Sequence, residues 1–480
     1  MSVGAANRRL IGLWQRLGVR FMPFADAATE DMPLSRLLRL ALFQVSAGCV
    51  MVLLNGTLNR VLIVELDVPV ELVSAVIAIP VLAAPLRLIF GYRSDTYKSV
   101  LGWRRVPYVW LGSLLQFGGL AIMPFALLLL QSQTVGPEWA GVVGACLAFI
   151  LTGFGMHMSQ TAGLALASDL VPAEKRPRVV ALLYVMLLVG MIGASAFYSI
   201  ALVDFSPKQL IQVIQGTALF TIVINVIAIW KQEARNPRAT APDRDLTGFF
   251  EALDAYRSDP GTVRLLLAVA IGSAAFSMQD ILLEPYGGEI LGMSVGRTTL
   301  LTGLWALGAM AGFAWAAHSL QRGAPMYRIA ARGLLIGIVA FSAIILAEPL
   351  ELQGLFYAGA GCVGLGGGLF AVGTLLAAMA ISDRSESGIV VGAWGAVQAT
   401  AIGCSLLAAG VIKNMVNMLA LNGVLGEAMA TRASGYLVVY GVEILLLFVC
   451  LAVIGPLTGR RYQRADHDSD MRFGLAELPG

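Results

Sequence analysis

The run RVVALLYVMLLVGMIGASAFYSIALV, residues 178–203, carries one charged side chain, Arg178, at its first position and none after it. A helix needs about 20 consecutive, mainly apolar residues to cross a bilayer, so this stretch predicts a membrane span. Arginine and lysine crowd one flank, at Lys175, Arg176 and Arg178, and a polar turn follows at Asp204. The same pattern recurs along the chain. Of its 480 residues 58% are apolar and only 13% charged, with a mean hydropathy of +0.77. Soluble domains are roughly a quarter charged, so water cannot be the solvent of most of this surface. The apolar runs are long and continuous rather than alternating over about ten residues, which excludes a transmembrane β-barrel.

Read between turn and charge signals, the runs predict helices over 37–64, 70–90, 106–131, 139–167, 178–203 and 209–230. A second set covers 263–285, 296–317, 328–347, 354–381, 388–412 and 435–457. The expectation is an all-α integral membrane protein of twelve spans in two six-helix bundles, 37–230 and 263–457. Residues 1–36 form an N-terminal arm, 231–262 a linker and 458–480 a tail. Within the arm, Leu10, Leu13, Trp14 and Leu17 lie among arginines, which suits either an interfacial helix or a solvated basic segment. The arm has no continuous apolar region of signal-peptide type. Of 33 basic residues, 27 fall in the arm, the even-numbered connections, the tail and the span ends that adjoin them. By the positive-inside rule both termini are expected in the cytoplasm. The five cysteines sit within apolar runs without metal-site spacing and read as buried free thiols.

An internal repeat supports the division. Span four ends in Ala165-Leu166-Ala167-Ser168-Asp169 and span ten in Met379-Ala380-Ile381-Ser382-Asp383. Span five contains Ile192-Gly193-Ala194-Ser195 and span eleven Ile402-Gly403-Cys404-Ser405. Order and spacing agree, as expected of two related bundles facing a central cleft.

After span two, Gly91-Tyr92-Arg93-Ser94-Asp95 and then Gly102-Trp103-Arg104-Arg105 resemble the Gly-x-x-x-Asp…Gly-Arg-Arg signature of the major facilitator superfamily. Asp95, Arg104 and Arg105 are therefore read as a charge-assisted latch at the cytoplasmic mouth. The loop at 318–328 of the second half lacks the acid. A closer resemblance rests on Leu42-Phe43-Gln44-Val45, on Leu54-Asn55-Gly56-Thr57-Leu58-Asn59-Arg60-Val61, and on the stretch 90–108. It continues with Asp169-Leu170-Val171-Pro172 and with Met278-Gln279-Asp280-Ile281-Leu282-Leu283-Glu284-Pro285-Tyr286-Gly287-Gly288. These segments are similar to the bacteriochlorophyll-delivery (PucC/LhaA) family of light-harvesting complex assembly proteins from purple photosynthetic bacteria. Pro23-Phe24-Ala25-Asp26-Ala27-Ala28 leans the resemblance toward the LhaA-like branch, associated with the core antenna. The resemblance implies an inner (intracytoplasmic) membrane protein that helps insert small antenna polypeptides and brings bacteriochlorophyll to them. Implied partners are lipids, those polypeptides and pigment-synthesis enzymes; neither enzymatic chemistry nor nucleic acid is implied.

Several residues stand out inside the spans. Asp280 and Glu284 share a helical face near the periplasmic end of span seven, beside Gln279. Span one carries Asn55, Asn59 and Arg60 at similar depth. Ionisable groups there are costly unless paired or wetted, so Arg60 is expected either to pair with Asp280 or Glu284 across the halves or to snorkel to the surface. His157, mid-way along span four, could be the axial ligand of a bacteriochlorophyll magnesium or a hydrogen-bonded bundle histidine. Its glycine neighbours Gly153 and Gly155 could leave room for a flat ring or serve packing. Gly361, Gly364, Gly366, Gly367 and Gly368 give span ten a smooth face for a partner helix, a tetrapyrrole or a carotenoid, or for packing against span eleven. Glu443 in span twelve is expected to face protein. His318 reads as a loop residue. Asp169 with Arg176 and Arg178, and Asp383 with Arg384, read as ties between helix ends and loops. Phosphate loops and HExxH are absent from the sequence, and no GxSxG falls on a predicted strand. Two functions fit: an antenna assembly factor, or a secondary transporter of a tetrapyrrole or other small solute. The scarcity of polar groups in spans two, eight and eleven weighs against a hydrophilic cargo.

Overall fold

The computed structural model describes residues 32–82, 103, 105–130, 138–172, 175–233, 260–384 and 389–458, and these form helices joined by turns and short irregular connections, with no strand among them. Eleven of the described helices are long and apolar enough to cross a membrane, and Val70–Leu82 is a shorter apolar one. In chain order they are α1 (Leu34–Glu65), α2 (Val70–Leu82), α3 (Val106–Leu130), α4 (Glu138–Asp169), α5 (Arg176–Ala201) and α6 (Pro207–Ile229). The second half holds α7 (Gly261–Glu289), α8 (Val295–Gln321), α9 (Met326–Ala347), α10 (Gln353–Arg384), α11 (Ile389–Leu421) and α12 (Ser434–Ile454). The N-terminal arm, the end of the second span with Asp95 and Arg104, the linker segment 234–259 and the tail with His467 lie outside the described residues.

The twelve helices form a bundle of the major-facilitator type. Within the halves α3 lies along α4, and α10 lies along both α8 and α9. Between the halves α5 packs on α8 and α11 packs on α2, the pairing that a two-fold repeat of the sequence predicts. The end bearing the connections 66–69, 202–206, 290–294, 348–352 and 422–433 is here called distal. The opposite end, with 230–233 and 322–325, is proximal.

Local chemistry sets the boundaries. Ser206 caps α6, its hydroxyl accepting from the Gln209 amide at 3.3 Å, and Pro207 follows in the first turn, where its missing N–H costs nothing. At the proximal end the Glu233 carboxylate accepts from the amides of Arg105 (3.1 Å) and Val106 (2.9 Å), satisfying donors at the start of α3.

Two predicted ends move. α11 runs to Leu421 rather than 412, because Lys413 and Asn414, which resemble stop signals, are both partnered, buried Lys413 with Glu289 and exposed Asn414 with Glu71. α8 runs to Gln321, so His318 stands exposed in its last turn instead of in a loop. All five cysteines are free, but only Cys49 and Cys450 are buried; Cys404 is exposed.

The glycines of α10 are consumed by packing, and not against α11. Cβ atoms on Gly364 and Gly368 would run into the α8 backbone at Trp305 and Ala309, and one on Gly366 would meet Gly333 of α9 at 2.6 Å. Gly361 faces the Leu304 carbonyl of α8, and Gly367 faces Phe276 of α7. That face is covered by the chain's own helices, which removes it as a docking face for pigment or partner.

Candidate functional site

The polar residues picked out in α1 and α7 meet at the distal end, and the reason lies in how α7 is built. Pro285 has no N–H to offer the Ile281 carbonyl, and its ring disfavours a continuous helix. The helix accordingly stops at Ser277, tightens into a 3₁₀ turn over Met278–Ile281 and restarts at Leu283, with Pro285 in its first turn. The break frees backbone groups in the membrane interior, where each needs a partner. Asn59 of α1 donates its Nδ2 to the Ile281 carbonyl at 2.8 Å. Glu443 of α12, wholly buried, accepts from the Gln279 amide at 2.6 Å. The Gln279 side chain donates to Asp280, which is half-buried.

The facing part of α1 departs from regular geometry in the opposite sense. Wide π-type turns run over Val52–Leu58 and Val61–Glu65. Gly56 lies there directly under the Glu284 carboxylate, where any Cβ would meet Glu284 Oε1 and Thr302 Oγ1. Thr302 of α8 in turn donates to Glu284. Arg60 lies against Gly288, whose Cβ would come 2.8 Å from the Arg60 Nε. Its Nη2 donates to the Met293 carbonyl at 3.1 Å, another bond between the halves. Thr57 and Thr299 hydroxyls are 3.2 Å apart, Ser195 donates to the Thr299 carbonyl at 2.6 Å, and Asn414 donates to Glu71 at 3.0 Å. The segments 54–61 and 278–288 are thus two sides of one joint between the halves.

Arg60 forms its ion pair with Glu65, Nη1 to Oε1 at 2.6 Å, and not with Asp280 or Glu284. The expected carboxylate cluster therefore has no ion pair to Arg60. Asn55, half-buried in the first wide turn, makes no side-chain hydrogen bond among the described residues. Glu443 faces protein, as expected. Sequence reading missed Glu65, Thr302 and a second cluster beside the joint. In that cluster Tyr436 donates to Glu289 at 2.7 Å, and Lys413 Nζ sits 3.7 Å from the same carboxylate oxygen. The Lys413 ammonium also lies 4.8 Å from the Tyr436 ring centroid. Tyr286 packs against Phe356, Tyr436 and Tyr440 with ring centroids 5.3–5.6 Å apart.

Chemically the joint binds helices together. Glu284 Oε2, Glu443 Oε2, Glu71 Oε2, Asn59 Oδ1, Arg60 Nε and the Tyr286 and Tyr440 hydroxyls are buried polar atoms here without a hydrogen-bond partner among the described residues. Among those residues there is also no group of three His, Cys, Asp or Glu placed to hold a metal. Of the proximal latch, Arg105 is described, and it pairs with Asp169 at 3.1 Å. Arg176 donates to the Ser168 carbonyl at 3.1 Å, tying the start of α5 to the end of α4. His157 is half-buried on a stripe of α4 that also exposes Val143 and Leu147. Gly153 and Gly155 do not widen that stripe: they pack against Pro80 of α2 and the Gln116 backbone of α3.

A family model described as PUCC protein matches residues 57–462. An uncharacterized protein in the puhA-bchM intergenic region of Rhodobacter capsulatus is 52% identical over 477 residues, 98% of this chain and 99% of its own length. Protein PucC of Rhodovulum sulfidophilum is 50% identical over 410 residues, 84% of this chain and 90% of that protein. The crystal structure of a bacterial homolog to the human lysosomal transporter Spinster, inward-facing and unoccupied, is similar in fold. It aligns with 88% of this chain and 95% of its own at a TM-score of 0.66 and 15% identity.

Proposed function

The chain belongs to the PUCC protein family, and on that premise we propose that it is an assembly factor for a light-harvesting antenna complex, the core antenna in particular. In this reading it holds antenna polypeptides and bacteriochlorophyll at the bundle surface during insertion and performs no catalysis. The observation that carries the reading is that these interior polar side chains each spend an atom on the chain's own helices. Asn59 and Glu443 satisfy the broken α7, Glu284 is seated on Gly56 and Thr302, and Arg60 is paired with Glu65. A hydrophilic cargo would need such groups free, whereas pigments and partner helices need apolar surface. Large side chains such as Phe125, Leu147, Phe197, Ile200 and Phe448 stand exposed on the bundle, which suits that role.

In this reading the proximal end faces the cytoplasm of a bacterial inner membrane, which the bias of basic residues supports. His157 is the pigment ligand best placed in this reading, because a half-exposed imidazole on an outward stripe suits approach from outside the bundle. A bound bacteriochlorophyll would bring its own magnesium, with an axial position for an imidazole. Carotenoid at the same surface and contact with pigment-synthesis enzymes are parts of the same proposal. The alternative is a secondary transporter of a tetrapyrrole or small solute. The broken α7 at the meeting of the halves favours it, since discontinuous helices form the substrate sites of many transporters.

Purification in mild detergent, followed by an absorption spectrum and identification of bound polypeptides, separates the two. Co-purified bacteriochlorophyll and antenna polypeptides, with pigment content reduced in His157→Leu, are expected. Protein free of both that drives substrate-dependent flux in liposomes would overturn the assembly reading. Unchanged pigment content in His157→Leu would overturn the ligand assignment alone.

A further inference from the structure

A cavity of about 240 Å³ lies among the distal ends of α1, α3 and α6, lined by Val61, Leu127, Leu128, Phe205 and Leu210 with a single carboxylate, Glu65. Glu65 is the last residue of α1 and the helical part of α6 begins beside the cavity at Pro207, so the cavity sits where spans end and lipid headgroups begin. The Glu65 side chain is 36% exposed, and only one of its oxygens is engaged, on the Arg60 Nη1. Its second oxygen accepts no hydrogen bond from the described residues. Lys208, exposed and three residues before the cavity-lining Ile211, lies next to it on the same face of α6 and makes no ion pair among the described residues.

An apolar slot with a half-engaged carboxylate above it and an ammonium at its rim is complementary to a zwitterionic amphiphile. A slot of this volume takes a segment of an acyl chain. We propose that this cavity is a binding site for an amine-headed phospholipid, with the primary ammonium on Glu65, the phosphate on Lys208 and part of one acyl chain among Leu127, Leu128 and Leu210. A primary ammonium can donate N–H bonds to the free Glu65 oxygen, which a quaternary one cannot, and an anionic glycerol head would meet the carboxylate unpaired. The site borders the joint, sharing Val61 and the partner of Arg60 with it, but needs no pigment or antenna polypeptide, so it stands or falls independently of the assembly reading.

The test is native mass spectrometry of the delipidated full chain, titrated with phosphatidylethanolamine, phosphatidylcholine and phosphatidylglycerol of identical acyl chains. The expected result is about tenfold tighter binding of phosphatidylethanolamine than of phosphatidylcholine, the size of one charge-assisted hydrogen bond. Lys208→Ala should weaken both by up to about fivefold, since the phosphate is common to them. Leu128→Trp should fill the slot and weaken all three lipids. Glu65→Gln should abolish the headgroup preference. That last change also strips Arg60 of its counter-ion and can prevent folding, but Lys208→Ala and Leu128→Trp leave the pair intact and decide the matter without it. Equal binding of the ethanolamine and choline lipids, tightest binding of phosphatidylglycerol, or ethanolamine-lipid binding unchanged in both Lys208→Ala and Leu128→Trp would overturn the proposal.

Discussion

α1 and α7 open the two halves and hold corresponding places in them, yet they leave regular helical geometry in opposite directions. α1 loosens into wide turns over Val52–Leu58 and Val61–Glu65, while α7 tightens into a 3₁₀ turn at Met278–Ile281 and starts again. Loosening brings Glu65 to Arg60 and lets Glu284 settle on Gly56. Tightening exposes the Gln279 amide and the Ile281 carbonyl, which need side chains from elsewhere. Asn59 of α1 answers one of these needs and Glu443 of α12 the other. Two helices alike in position thus become complementary in shape, and the joint between the halves at the distal end rests on that difference.

Substitutions that undo one side of the comparison should be graded, as read by unfolding of the purified protein in mixed micelles. Glu65→Ala leaves the buried Arg60 without its counter-ion and should cost about 3 kcal/mol, the low end for a broken buried pair because Glu65 is partly exposed. An unchanged midpoint would mean the wide turn does not serve the ion pair. Gly56→Ala should follow at about 2 kcal/mol, since its Cβ overpacks against Glu284 and Thr302. Gly216→Ala in α6, where a Cβ meets nothing within 4 Å, is the control and should be neutral or slightly stabilising. Glu443→Leu should cost about 1.5 kcal/mol by orphaning the Gln279 amide. Glu443→Gln keeps an acceptor for that amide and should cost less than about 1 kcal/mol. A Gln variant as damaging as the Leu variant would show that charge, not the backbone bond, is what Glu443 supplies.

Much of the fold was legible because bilayer thickness translates directly into run length, and because the two-half repeat survives in the ends of α4 and α10. The joint was half legible: Asn59, Gln279, Asp280 and Glu284 stood out as polar groups in apolar runs. Glu65 was not, for a geometric reason. In a regular α-helix residues five apart lie about 140° from each other, so Arg60 and Glu65 would face different ways. Only the wide turns, which follow an i to i+5 pattern, bring them together. Lys413 misled the reading of α11 for a related reason, since a lysine at a helix end signals a stop unless a half-buried carboxylate such as Glu289 awaits it. The α10 glycines announced close approach, but their placement around the helix left the neighbour undetermined, and the neighbours are α8 and α9.

The central claim is that the polar motif of α1 exists to satisfy the break that Pro285 makes in α7, and the coupling between Asn59 and Pro285 tests it most directly. Asn59→Leu alone should orphan the Ile281 carbonyl and cost about 1–3 kcal/mol. Pro285→Ala restores an N–H that can reach the same carbonyl within α7, so in that background the Asn59→Leu penalty should shrink to under about 1 kcal/mol. A double-mutant cycle in which the two penalties simply add would contradict the claim.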